Sequence, residues 1–140
     1  MILHCCGCSL IVVPRLTNGA EIYPHREDLS ELNFWVCDDC GNYVGCHKDV
    51  NDTPLGSIPS PEIRECRRKL HSIIDPLWRR GLINRSDLYN ALTSKLGYEY
   101  HTGQVNTVRD YVEVKEIISD IAMDLDFNMV EYIEQLDDVA

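Results

Sequence analysis

The residues of this chain best suited to chemistry are paired thiols. Cys5 and Cys8 enclose two residues near the start, and Cys37 and Cys40 enclose two more. A Cys-x-x-Cys turn presents two thiolates to one tetrahedral cation, and two such turns complete a four-sulfur shell. Four sulfurs leave no position for water or substrate, so the predicted chemistry is structural binding of one Zn2+. The second pair reads Cys37-Asp38-Asp39-Cys40-Gly41-Asn42. Its glycine allows a tight turn that aims backbone amides at the sulfurs. Cys46 and His47 follow closely and could reach the metal as additional ligands. The competing reading makes them a packed thiol and a surface imidazole. Ordinary buried thiols, an iron–sulfur centre or a redox role remain alternative uses of the cysteines.

A second group of candidates is basic. Arg64, Arg67, Arg68 and His71 fall on one side of a predicted helix, and Arg79, Arg80 and Arg85 follow. Between Arg64 and Arg85 seven basic residues face two acids. Such a face can meet phosphates, and Arg64, Arg67, Arg68, Arg79 and Arg80 are the candidate nucleic-acid contacts. The plainer reading is a solvated helix surface. Phe34, Trp35 and Tyr43 could stack on bases, or pack beside the cysteine turns. A third group is acidic. The formal net charge is −10, and residues 110–140 hold ten acids against Lys115. Within that tail, Glu131, Glu134 and Asp138 are candidate partner contacts. No G-x-S-x-G, P-loop or H-E-x-x-H motif is present, and the five histidines are scattered, so no enzymatic activity is expected.

These side chains need elements to position them. Short apolar runs flank the cysteine turns: Ile2–His4, Leu10–Val13, Phe34–Val36 and Tyr43–Gly45, with Glu21-Ile22-Tyr23 as a further short strand after the Asn18-Gly19 turn signal. The stretch from Asn51 to Ser57 has linker composition. The period then becomes helical, with Ser60 as N-cap and Pro61 at the first helical position. Ile63, Cys66, Leu70, Ile73, Ile74 and Leu77 form the apolar stripe, which makes Cys66 a core residue. Asp75-Pro76 predicts a break. A second helix is predicted from about Arg85 to Leu96, with Gly97 as its stop, and a third from near Thr107. The fold class expected is α+β: a small N-terminal zinc ribbon of short antiparallel strands, then three or four helices. The expected divisions are 1–56 for the ribbon, 57–104 for the basic helical part and 105–140 for the acidic tail.

One stretch carries a resemblance. Tyr43-Val44-Gly45-Cys46-His47-Lys48, Pro54-Leu55-Gly56, Glu62-Ile63-Arg64 with Arg67 and His71, and Asp75-Pro76-Leu77-Trp78 occur in an order that resembles an uncharacterised zinc-finger-containing family of phage and prophage genomes. Tyr89, Leu92, Leu96-Gly97 and His101-Thr102-Gly103 extend the likeness over roughly residues 5–118. The resemblance implies zinc on Cys5, Cys8, Cys37 and Cys40, and a mobile-element origin. It supplies no activity. The chain departs from the pattern at Ser9, where a glycine ordinarily follows the first pair, and in its acidic extension.

The function expected is non-catalytic binding of a macromolecule in the cytoplasm of a bacterial host. The partner would be nucleic acid or nucleic-acid-handling machinery. The alternative is an anti-defence inhibitor, anti-CRISPR-like, whose acidic surface imitates nucleic acid before a basic host nuclease. Neither reading involves a membrane, since no apolar run approaches a span. The stripe within 108–136 could also support a homodimer.

Overall fold

The structure, a computed structural model, describes residues 1–48 and 51–125. Among these the chain divides into two units, with the division between Arg64 and Glu65.

The first unit is built of short strands. β1 (Leu3–Cys5) pairs antiparallel with β2 (Leu10–Val12), Leu3 opposite Val12 and Cys5 opposite Leu10. β3 (Arg15–Asn18), β4 (Asn33–Val36) and β5 (Tyr43–Gly45) form a second antiparallel sheet with β4 in the centre. The two hairpins place each cysteine pair in a turn: Cys5 ends β1 and Cys8 precedes β2, while Cys37 and Cys40 lie between β4 and β5. Ile58 adds a parallel bridge beside Cys5, donating to His4 O at 2.9 Å and accepting from Cys6 N at 2.8 Å. The core is small. Cys5, Val12, Cys37, Val44 and Ile58 are buried together, with Leu3, Cys8 and Trp35 packed against them. So few apolar side chains make a metal staple physically useful.

The expected strand at Glu21-Ile22-Tyr23 is not one. Gly19–Ile22 is a short helical turn, α1, and the strand lies before it at Arg15–Asn18. Asn18 acts as a cap rather than a hairpin residue, its side chain accepting from Glu21 N at 3.3 Å. Gly19 is required by close approach, since a Cβ there would lie 1.7 Å from Leu29 O.

Helix α2 (Pro61–Arg79) starts where Ser60 Oγ accepts from Ile63 N at 3.3 Å. It continues through Pro76, against the predicted break. Proline forfeits one ladder hydrogen bond and clashes one turn back, at about 3 kcal/mol. Ile73, Ile74 and Leu77 are all fully buried around it. Full burial of side chains this size is worth roughly 1.5–3 kcal/mol each, which offsets that cost.

The second unit adds α3 (Arg85–Leu96) and α4 (Val108–Asp124). Asn84 caps α3 on Ser86 N at 2.8 Å, and Gly97 ends it in the left-handed region at φ 83°. Thr107 caps α4 on Asp110 N at 3.0 Å, while Asp110 accepts from Asn106 N at 3.2 Å. That reciprocal pair satisfies two donors at the helix start. Leu70, Ile73, Ile74, Leu77, Leu88, Leu92, Val114, Ile118, Ile121 and Ala122 are the buried aliphatic side chains of this unit's described helices, and Cys66 is buried with the α2 stripe as expected. No described helix is long and apolar enough to cross a membrane.

Candidate metal centre

The two turns bring Cys5, Cys8, Cys37 and Cys40 together, with all four Sγ atoms within 4.8 Å of one another. Cys5 Sγ lies 3.5 Å from Cys40 Sγ, and Cys8 Sγ lies 3.8 Å from Cys37 Sγ. A tetrahedral ion with metal–sulfur bonds of about 2.3 Å needs sulfurs about 3.8 Å apart, so the cluster has the size of a ZnS4 shell. The donor set is the one zinc takes in closed structural sites. Bound Zn2+ supplies the positive charge that lets all four sulfurs ionise together.

The backbone of each turn is set by the residue after its second cysteine. Gly41 takes φ 79° and Ser9 takes φ 57°. Both turns therefore use the left-handed conformation, and Ser9 adopts it despite its Cβ. In the second turn Gly41 N donates to Cys37 O at 2.7 Å and Cys37 N donates to Asn42 O at 2.8 Å.

The thiols differ in acidity. Cys8 is pushed up to about 12, first by its hydrogen bond to Cys40 and then by desolvation. Burial pushes Cys5 up as well. Cys40 settles at about 7: desolvation works to raise it, and the Asn42 backbone N–H together with bonds from Cys5, Cys37 and Cys8 outweighs that. Without a cation the four cannot all give up their protons, because like charges this close repel. The seven cysteines form no disulfide.

Cys46 and His47 do not join this group. Cys46 bridges Pro54, and His47 N donates to Thr53 O at 2.8 Å. Both line a surface concavity of about 610 Å3 with Phe34, Lys48 and Leu55. Phe34 is buried and Trp35 donates its Nε1–H to Asp52 O at 2.7 Å, so these aromatics serve the ribbon's own packing. Tyr43 packs edge-on to Phe34 and Tyr23.

A clamp that the sequence did not signal braces the second turn. Arg15 on β3 donates to Asp38 at 2.9–3.2 Å and to both carboxylate oxygens of Glu21 at 3.1 Å. The guanidinium holds both carboxyls below the usual range. Arg15 and Asp38 are far apart in sequence, and only the β3–β4 pairing, Arg15 opposite Val36, brings them together.

The basic candidates divide by what they touch. Arg64 donates to Tyr43 O at 2.7 Å and lies over that ring at 4.1 Å. Arg67 donates to Val105 O at 3.0 Å and to Asn106 Oδ1 at 3.3 Å. Both are half-buried and serve as internal anchors. Arg68, Arg79 and Arg80 are exposed. Arg68 pairs with Glu65, and Arg79 approaches Asp75 at 3.8 Å. Glu131, Glu134 and Asp138 lie outside the described residues, as does the end of the 108–136 stripe.

A four-cysteine cluster held by two strand-turn-strand units defines a zinc ribbon with one structural ion. The family model of the zinc-finger-containing domain matches residues 1–121, and the chain belongs to that family. No curated protein and no solved structure matches it.

Proposed function

We propose that this zinc-binding chain is a non-catalytic module that binds nucleic acid through phosphate contacts on the exposed side of α2. The observation that carries the reading is a shallow concavity of about 400 Å3 in the second unit, lined by Arg68, His71, Ser72, Asp75, Pro76, Arg79 and Arg80. Arg68 and the Arg79-Arg80 pair lie about three helical turns apart, with His71 between them, and can meet successive phosphates along a backbone. Asp75 lies among them, accepting from Trp78 Nε1 at 3.1 Å and flanked by His71 at 3.6 Å and Arg79 at 3.8 Å. Glu65 and Asp75 pre-orient arginines that phosphate would have to win over. The Arg68–Glu65 pair is exposed to solvent, and in the other pair Arg79 is exposed while Asp75 is half-buried, so water and salt weaken the first pair most. A closed four-sulfur metal site fits a supporting role for the zinc rather than a reactive one.

Fluorescence anisotropy with labelled single- and double-stranded DNA and RNA tests this reading. About three phosphate contacts predict a slope of log K against log salt near −3 on duplex DNA. Replacing Arg68, Arg79 and Arg80 together with Gln is expected to flatten that slope and leave zinc content unchanged. Arg64→Gln is expected to act on stability instead. Absence of wild-type binding to every probe at low salt sinks the reading.

A further inference from the structure

The four sulfurs are not equivalent. Cys5 and Cys37 are 0% and 2% exposed, Cys8 is half-buried, and Cys40 is at the surface. Cys40 is also the sulfur that gathers an additional donor. Asn42 Nδ2 donates to Cys40 Sγ at 3.3 Å, and the backbone N–H of Asn42 serves the same sulfur. The side-chain amide occupies space above the first turn, at Gly7. A Cβ on Gly7 would lie 2.3 Å from Asn42 Nδ2 and 3.2 Å from Cys40 Sγ. The first contact is closer than real Cβ atoms come, so any larger residue at position 7 must displace the amide. Gly7 takes no left-handed φ, which leaves close approach as the reason for glycine here.

We propose that Asn42, admitted by Gly7, is a positioning residue that holds the Cys40 sulfur against the metal and sets the rate of zinc release, with Cys40 the first ligand to leave. A bound thiolate that accepts N–H bonds stays aimed at the ion, and with part of its charge taken up by the donors it is less readily attacked by protons and electrophiles. The surface position of Cys40 gives chelators and electrophiles access to this ligand, while Cys5 and Cys37 lie beneath the turns. The amide lies against the sulfur of the most exposed of the four cysteines. Gly7 makes that contact a shared device of the two cysteine turns.

The test uses the zinc-loaded full chain. Transfer of zinc to 4-(2-pyridylazo)resorcinol is expected to be about five- to tenfold faster in Asn42→Ala, in keeping with the loss of one charge-assisted hydrogen bond. Asn42→Asp keeps the shape, removes the donor and should release zinc at least as fast. Gly7→Ala should behave like Asn42→Ala, and the double variant should add nothing to either. Cobalt substitution reads the sulfur directly: the sulfur-to-cobalt charge-transfer band should move in the Asn42 variants. It should stay in place in Leu92→Ala, which lowers stability from the buried core of the second unit, where none of the four ligands lies. Limited iodoacetamide labelling, mapped by mass spectrometry, should modify Cys40 before the other three ligands. An Asn42→Ala chain with native release rate and an unmoved cobalt band overturns the proposal. So does labelling of Cys5 or Cys37 ahead of Cys40.

Discussion

The conformations of Ser9 and Gly41 pose one question twice. Both residues follow the second cysteine of a turn and both hold positive φ. A left-handed backbone costs an L-residue roughly 1–2 kcal/mol, and glycine is spared that cost. Ser9→Gly is therefore expected to stabilise the zinc-loaded chain, by up to about 1 kcal/mol once glycine's greater freedom in the unfolded chain is subtracted. Gly41→Ala is expected to destabilise it by about 1–2 kcal/mol. A Cβ at position 41 meets nothing within 4 Å, so the loss is conformational and not steric. Urea unfolding of the loaded proteins checks both signs, and a Ser9→Gly chain less stable than wild type would refute the argument. The four ligands were legible because their spacing is local chemistry. Arg15 and the contact of Gly7 with Asn42 were not legible, because they depend on strand pairing and on the approach of two turns distant in sequence.

At the level of elements, the helices that the sequence located well are those with local stop signals. α3 ends at Gly97 and α4 starts on Thr107, and both signals act within a few residues. Pro76 misled because its effect is decided by burial of Ile73, Ile74 and Leu77, which no local pattern reveals. β3 was missed because Arg15-Leu16-Thr17-Asn18 lacks an apolar alternation; its pairing with β4 and the Arg15 clamp hold it instead. The loop between α3 and α4 makes its own prediction. Tyr100 is 3% exposed, its hydroxyl paired with Thr102 Oγ1 at 2.8 Å and its N–H donating to Thr93 Oγ1 at 3.0 Å. Burial pushes its hydroxyl well above the ordinary 10, with the Thr102 bond opposing. Below that pH both states keep the proton and the contribution is complete. As pH rises past 10 the unfolded chain ionises first, so stability falls toward the folded value. Tyr100→Phe should cost about 1 kcal/mol at neutral pH and flatten this alkaline decline. Thermal melts between pH 8 and 11 read the difference, and parallel pH curves for the two proteins would contradict it.

For the whole molecule, the metal and the apolar core divide the work of stabilisation. The first unit gathers its few buried residues around cysteines, whereas the second buries aliphatic residues of three helices and contains no ligand. Chelation is therefore expected to abolish the tertiary signal of Trp35 while most of the helical circular dichroism persists. Simultaneous loss of both would show that the units depend on one ion. Acid should act as a chelator does, because protonated thiols do not hold zinc. The bridge between Ile58 and the first cysteine turn bears on the order of events during synthesis. All four thiols leave the ribosome before Ile58, the residue that closes the backbone bonds of His4 and Cys6. Cation capture can thus precede completion of the sheet, and the loaded cage then shortens the search by which Ile58 finds its place. A nascent chain stalled when Cys40 has emerged from the ribosome and Ile58 has not should already hold its zinc and surrender it readily, and emergence of the following residues should convert a loose complex into a slow one.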